Sequence, residues 1–83
     1  MTIVITQQDS EFASRRVSIC VNRELVGAVG PGESLTVKND ADYCEVDAYC
    51  GSHHTWHKLY HDEHLLIRWI PSAERMEIAP VKG

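Results

Sequence analysis

The histidines of this chain form a cluster whose residue types could bind a metal ion. All five lie within twelve consecutive positions: His53, His54, His57, His61 and His64. A neutral imidazole nitrogen is a common ligand for zinc, nickel and copper, and Asp62 and Glu63 add carboxylates to the same segment. The segment therefore predicts either a metal-binding site of the zinc or nickel class or a histidine-rich surface without a bound ion.

Which histidines could share an ion depends on the backbone that carries them. On a single strand His53 and His57 would lie ~13 Å apart, too far for one ion. If the chain instead reverses direction at Asp62 and Glu63, His61 and His64 would flank that loop with Cβ atoms ~5 Å apart. In a helix, neighbouring histidines four residues apart would form the pairs instead. We therefore predict His57, His61 and His64 as the metal ligands, with zinc as the candidate cofactor.

The three cysteines, Cys20, Cys44 and Cys50, are an odd number that cannot all pair within one chain, and they lack a C-x-x-C spacing. Reduced thiols agree best with a cytoplasmic protein. No sequence signature of a nucleophilic enzyme surrounds any cysteine or histidine, and one small core leaves little volume for a substrate cleft. The sequence predicts a protein that is not an enzyme, with Cys44 and Cys50 buried as small apolar residues.

Aromatic side chains in polar surroundings indicate a binding surface. Tyr43 and Tyr49 alternate with apolar residues of their segment and should point to solvent among carboxylates. Aromatic residues are favoured at protein interfaces. We expect Tyr43, Tyr49, His57 and His61 to contact a protein partner or a second copy of this chain. The function predicted first is a non-catalytic interaction module, and metal binding by the histidine cluster is the alternative.

Short alternating segments, separated by turn residues, are expected to position these side chains. Apolar and polar residues alternate with period two, which is typical of strands, and turn signals recur roughly every 8 to 12 residues. We predict strands near 2–6, 16–22, 25–29, 34–38, 43–50, 55–60, 65–70 and 75–79. The expected fold is all-β, a small antiparallel β-sandwich of six to eight strands, in a single domain over residues 1–83.

The segment 53–70 permits two interpretations. As a helix it would carry an apolar stripe that includes Trp56 and Tyr60, but Glu63 would interrupt the stripe and Trp69 would face water. As a hairpin with its loop at Asp62 and Glu63, it would place Trp56 opposite Trp69 on the inner face. Such cross-strand aromatic pairs favour the hairpin.

Residues 16–70 resemble small β domains of the PEGA type. The resemblance rests on the runs 17–27, 31–37 and 45–51, which match a V-x-V-[ND]-G-x-x-V-G hairpin followed by further strands and a glycine-aromatic turn. It implies a fold rather than an activity. Arg23 stands where that family has glycine, in a turn that requires positive φ, which costs on the order of 1 kcal/mol or demands a longer loop.

Length and charge narrow the classes of partner. With 83 residues, 43% hydrophobic and 24% charged, the chain should fold around one core. Twelve acidic and eight basic residues give a net charge of -4, which disfavours a nucleic acid partner. No apolar run approaches ~20 residues, and the start lacks the pattern of a secretory leader, so neither a membrane partner nor export is expected.

Overall fold

Eight β-strands form within residues 1–10 and 15–81, the parts of the chain that the computed structural model describes. They are β1 (Thr2–Gln7), β2 (Val17–Val21), β3 (Glu24–Val29), β4 (Ser34–Lys38), β5 (Cys44–Cys50), β6 (His53–Leu59), β7 (Glu63–Ile70) and β8 (Arg75–Pro80). A single 3-10 turn, Pro71–Ala73, precedes β8, and none of the described residues belongs to a helix long and apolar enough to cross a bilayer. The predicted all-β fold and the predicted strand positions are confirmed.

The strands form two packed sheets of four strands each. Sheet 1 has the order β4-β1-β7-β8, and sheet 2 has the order β3-β2-β5-β6. β6 lies against β8 and β3 against β4, which closes both sides of the sandwich. Neighbouring strands are antiparallel except β1 and β7, which are parallel. The sandwich is therefore predominantly antiparallel, with one parallel pair that alternation alone did not indicate.

The predicted hairpin over residues 53–70 is wrong in its pairing, and the helix alternative is wrong altogether. β6 pairs with β5 in sheet 2, whereas β7 pairs with β1 and β8 in sheet 1. Trp56 therefore lies opposite Asp47, and Trp69 lies opposite Met76. Between the two strands the chain passes from one sheet to the other, where the Asp62 carboxylate accepts a hydrogen bond of 2.8 Å from the Thr2 amide.

The inward side chains of both sheets form one apolar core. Every second residue of the central strands is buried, as the period-two pattern predicts. Cys44 and Cys50 belong to this core, and all three cysteines are free thiols, which confirms their expected packing. The largest fully buried apolar side chains are Ile3, Ile5, Ile19, Leu59, Leu65 and Ile67. Each stabilises the fold by roughly 1.5–3 kcal/mol through removal from water.

One polar side chain, Gln7, is fully buried at the end of β1. Its amide nitrogen donates to the carbonyl oxygens of Val29, at 2.7 Å, and Arg15, at 3.1 Å. Its amide oxygen accepts from the indole N–H of Trp69 at 3.1 Å. Because buried polar groups are costly unless bonded, this satisfied glutamine links β1 to β3 and β7.

A two-residue turn joins β2 to β3. Val21 pairs with Glu24, and the intervening Asn22 and Arg23 have φ angles of 51° and 69°. Positive φ at both positions is the type I′ geometry, which favours glycine at the second. The chain therefore forms the tight turn and accepts the strain at Arg23 instead of lengthening the loop.

Replacing Arg23 with glycine should stabilise the fold. Glycine adopts positive φ without the penalty of roughly 1–2 kcal/mol that a side chain incurs, although its greater freedom in the unfolded chain offsets part of the gain. We expect the free energy of unfolding to rise by about 0.5–1 kcal/mol in urea titrations. Glu24→Gly, one residue later at an ordinary strand position, should lower it by a similar amount. A loss of stability in Arg23→Gly would contradict this account of the turn.

The Glu33 carboxylate fastens the loop before β4. It accepts hydrogen bonds from the Gly30 amide, at 2.6 Å, and from the Arg16 guanidinium, at 2.9 Å. The Gly30 amide, followed by the charge of Arg16, lowers the pKa of Glu33 below its usual value of 4.5. The ionised side chain therefore holds the loop at neutral pH.

Glu33→Gln should lower the free energy of unfolding near neutral pH. The difference between this variant and the wild type should disappear in acid. A lowered folded-state pKa means that the stabilisation is fully present above about pH 4.5 and disappears as pH falls through the lowered value. Denaturant unfolding of both proteins across this range measures the difference. Glu24→Gln, at an exposed position, is the matched control. A difference between wild type and Glu33→Gln that stays constant into strong acid would refute the role of the charge.

Candidate binding surface

The outer face of sheet 2 carries a row of side chains that are set by strand register. Cys20 of β2 lies opposite Leu25 of β3 and opposite Asp47 of β5, and Asp47 lies opposite Trp56 of β6. Because the flanking residues of β2 and β5 point into the core, these four side chains point outward. Leu25 is 67% exposed and Trp56 is 55% exposed. Two large apolar side chains therefore face solvent across the width of the sheet.

A second row on this face consists of Asp47, His54 and Tyr49, which are joined by one hydrogen bond and one ring stack. The His54 and Tyr49 rings stack with centroids 4.4 Å apart and an interplanar angle of 7°. The His54 Nε2 atom lies 2.9 Å from Asp47 Oδ1, and Asp47 is only 6% exposed. Desolvation, followed by the charge of Asp47, raises the pKa of Tyr49, so its phenol stays neutral and able to donate a hydrogen bond. The carboxylate thus fixes the orientation of both rings.

Two more tyrosines continue this surface at the end of the sheet. The Tyr43 and Tyr60 rings have centroids 6.0 Å apart, and the two side chains are 52% and 69% exposed. The Lys58 ammonium lies 5.9 Å from the Trp56 ring, between the tyrosine pair and the row at Trp56. We call the whole surface the aromatic face; its members are Leu25, Tyr43, Tyr49, His54, Trp56 and Tyr60.

A surface pocket of about 450 Å³ opens beside the tyrosine pair. It is lined by residues of the β2–β3 turn, of β5 and β6, and of the segment before β5: Asn22, Arg23, Ala41, Tyr43, Glu45 and Lys58. The Asn22 side chain accepts a hydrogen bond from the Glu45 amide at 2.9 Å, and the Asn22 amide donates to the Glu45 carbonyl at 2.9 Å. These two bonds fix the turn against β5 and so define one wall of the pocket.

The binding residues predicted from the sequence separate into two groups. Tyr43 and Tyr49 are exposed on the outer face of their strand, as alternation predicts. His57 points inward from β6, and its Nε2 atom lies 3.4 Å from Glu63 Oε2. His61 lies in the connection to β7, with its Nε2 atom 3.8 Å from Glu63 Oε1. His57 and His61 therefore converge on one carboxylate between the sheets and are not part of the aromatic face.

The predicted metal ligands do not form one site. His64 points away from Glu63, because neighbouring residues of β7 face opposite sides of sheet 1, and its Nε2 atom lies 2.8 Å from Thr6 Oγ1. Over residues 1–10 and 15–81, no group of three or more histidine, cysteine, aspartate or glutamate side chains is placed to hold a metal ion. The predicted approach of His61 and His64 is wrong because it depended on a hairpin that does not form.

Glu63 has an incompletely satisfied carboxylate. Its Oε2 atom is buried and has no hydrogen-bond partner in the part of the chain that the structure describes. The side chain as a whole is 19% exposed, and that of His57 beside it is 26% exposed. The imidazoles of His57 and His61, with Nε2 atoms at 3.4 and 3.8 Å, are the side chains that the structure places against this carboxylate.

Trp56 is the exposed aromatic residue that the sequence analysis misplaced. It was expected inward against Trp69, but it faces solvent on sheet 2, while Trp69 packs against the core and contacts the His53 ring edge to face at 5.2 Å. The alternation of Trp56, Lys58 and Tyr60 around the buried Leu59 is the signal that indicates their common outer face.

Comparison with known proteins finds no matching family model, no matching curated protein and no matching solved structure. The resemblance of residues 16–70 to PEGA-type domains therefore stays a prediction. The geometry of the aromatic face and its pocket is what remains to indicate a function.

Proposed function

We propose that this chain is a non-catalytic protein-interaction module that binds a protein partner through the aromatic face. The observation that carries the proposal is the clustering of exposed apolar side chains on sheet 2. Of the large apolar residues that are exposed in the described parts of the chain, Leu25, Tyr43, Tyr49, Trp56 and Tyr60 share this one face. Exposed apolar and aromatic side chains gathered on one face are typical of protein interaction sites.

The opposite surface of the sandwich supports the choice of face. The outer side of sheet 1 carries hydroxyl and charged side chains that bind one another: Thr6 Oγ1 lies 2.7 Å from Ser34 Oγ, and Arg68 lies 3.5 Å from Glu77. Polar groups that are already paired gain little from a partner. The two faces of the protein therefore differ, and most of the large exposed apolar side chains in the described parts of the chain lie on sheet 2.

The rigidity of the aromatic face also favours binding. Asp47 holds His54, and His54 stacks on Tyr49, so these side chains are ordered before a partner arrives. Side chains that are already ordered lose less entropy on association, which leaves more of the contact energy as affinity. Sheet 2 thus presents a preorganised surface.

The nature of the partner follows from charge. The net charge of -4 opposes nucleic acid and also opposes close approach of two identical chains, so we favour a different protein over a second copy. Three free thiols agree with a reducing compartment such as the cytoplasm. Self-association through the same face is the other outcome of the test below.

Site-specific photo-crosslinking tests this proposal. A benzophenone amino acid is placed at Tyr60 on the aromatic face, which leaves Trp56 intact, and, as the matched control, at Thr36 on the outer side of sheet 1. We expect a discrete adduct from position 60 that excess unlabelled protein suppresses, and no such adduct from position 36. The crosslinked protein is then purified and bound to the unmodified chain in solution. Equal adducts from both positions, or a purified partner that does not bind, would reject the aromatic face as the interface.

A further inference from the structure

We propose that the pocket beside the Asn22–Arg23 turn binds a carboxylate group that the protein partner presents. The inference rests on the proposed function, because it assigns chemistry to the partner of the aromatic face. The pocket borders the aromatic face at Tyr43, and it can be tested without the partner. The pocket volume of about 450 Å³ is sufficient for an acidic side chain or a chain terminus.

The cations of the pocket form no ion pair among the residues that the structure describes. Arg16 and Arg68 form ion pairs with Glu33 and Glu77, respectively. Neither Arg23 nor Lys58 forms an ion pair with any residue in 1–10 or 15–81. Both line the same pocket. Two cations without ion pairs make this pocket locally positive, although the protein has a net charge of -4. A locally positive pocket favours an anionic ligand.

The net charge of the pocket selects a carboxylate over a phosphate. Glu45 lines the pocket with Arg23 and Lys58, so that two positive charges are offset by one negative charge. A carboxylate with a single negative charge neutralises the remainder, whereas a phosphate dianion would leave excess negative charge beside Glu45. The guanidinium of Arg23 also matches the planar geometry of a carboxylate.

The backbone at Arg23 supports a role for its side chain. Arg23 has a φ of 69° at a turn position that glycine occupies without strain. Strained residues of this kind are found preferentially at binding sites, where the side chain is needed. The two hydrogen bonds between Asn22 and Glu45 hold the turn in place, so the guanidinium is mounted on a fixed wall of the pocket.

Tyr43 connects the pocket to the aromatic face. It lines the pocket and also pairs with Tyr60, while Lys58 reaches the Trp56 ring. A partner seated on the aromatic face can therefore place a carboxylate in the pocket through the same contact. The geometry points to an acidic residue or chain terminus flanked by apolar side chains as the segment recognised.

Titration of the isotopically labelled full chain with small probes, followed by NMR, tests the pocket directly. The probes are acetyl-glutamate methylamide, its neutral glutamine counterpart, acetyl-alanine with a free terminal carboxylate, and inorganic phosphate. We expect saturable shifts at Asn22, Arg23, Glu45 and Lys58 with a Kd of the order of millimolar for one or both carboxylates. The neutral probe should bind at least about fivefold more weakly. The preferred carboxylate identifies the source as a side chain or a chain terminus.

Variants separate binding from folding. Arg23→Gly should raise the melting temperature by roughly 4 °C and still weaken carboxylate binding at least about fivefold. Lys58→Gln should weaken it similarly, and Lys38→Gln, which removes a charge on sheet 1, should leave it unchanged. Unaltered binding in both pocket variants, or tighter binding of phosphate than of either carboxylate, would overturn the proposal. If no carboxylate probe binds, but the partner still loses affinity in Trp56→Ala, the pocket inference is wrong and the proposed function stands.

Discussion

Replacing Gln7 with leucine should lower the free energy of unfolding by about 3 kcal/mol, although leucine is the more hydrophobic residue. The change removes the partners of the Val29 carbonyl and of the Trp69 indole N–H, both of which bond to Gln7 in the interior. A buried group that loses its hydrogen bond costs about 1–3 kcal/mol. At this size of domain the melting temperature should fall by roughly 10–20 °C.

Urea unfolding of Gln7→Leu and of a matched control measures this effect. Gln8 is the neighbouring residue and is exposed, so Gln8→Leu should change stability by less than about 0.5 kcal/mol. The slope of unfolding against urea should stay constant in both, because the fold is retained. Equal stability of Gln7→Leu and the wild type would show that the buried amide does not link the sheets as its contacts indicate.

Replacing Trp56 with alanine should weaken binding of the partner at least 30-fold, a loss of about 2 kcal/mol. The indole is 55% exposed, lies between His54 and Tyr60 along the outer face of β6 and carries Lys58 over its ring, so it has the properties of an interface hot spot. The free energy of unfolding should change by less than about 1 kcal/mol, because the side chain is mostly outside the core. Titration calorimetry with the crosslinked and purified partner gives the affinity.

The matched control for Trp56→Ala is Thr36→Ala on the outer side of sheet 1. Its affinity for the partner should equal that of the wild type. If the Trp56 variant keeps its affinity to within about threefold, the aromatic face is not the contact surface. If both variants bind equally poorly, the loss is unrelated to the choice of face.

The sequence predicted the strands well because alternation is a local property. Apolar residues at every second position identified β2, β4 and β5 with only small errors at their ends. The same alternation through Ile3 and Ile5 continues to Gln7 and indicates an inward glutamine, although its partners cannot be inferred from it. Those partners come from Arg15, Val29 and Trp69, which are distant in sequence.

Strand pairing could not be predicted in the same way. The segments now seen as β6 and β7 have compatible aromatic residues and a polar loop between them, which are the local features of a hairpin. Their separation into two sheets depends on competing partners, since β5 binds one and β1 and β8 bind the other. A single sequence contains no local signal for that competition. The expected approach of His61 to His64 depended on the same hairpin.

The candidate site was therefore predicted only in part. Tyr43 and Tyr49 were assigned to an exposed face by alternation within one strand. Trp56 was misplaced because it was assigned to an inner face opposite Trp69, in a hairpin that does not form. Predicting the pocket at Arg23 would have required both the turn geometry and the approach of Lys58, which is distant in sequence. The sequence did show one sign of it, an arginine in a turn that favours glycine.

The parallel pairing of β1 with β7 imposes an order on folding. Ile3 pairs with Glu63 and Gln7 with Ile67, so β1 has to wait until most of the chain has been synthesised before its second neighbour exists. The strands of sheet 2 are contiguous from β2 to β6 apart from β4, and they can associate earlier. Contacts between such distant segments slow folding, and they leave β1 as an apolar ribbon with an open edge on the nascent chain. Sheet 1 is therefore complete only once β7 has joined β1, whereas β2, β3, β5 and β6 can pair without either of them.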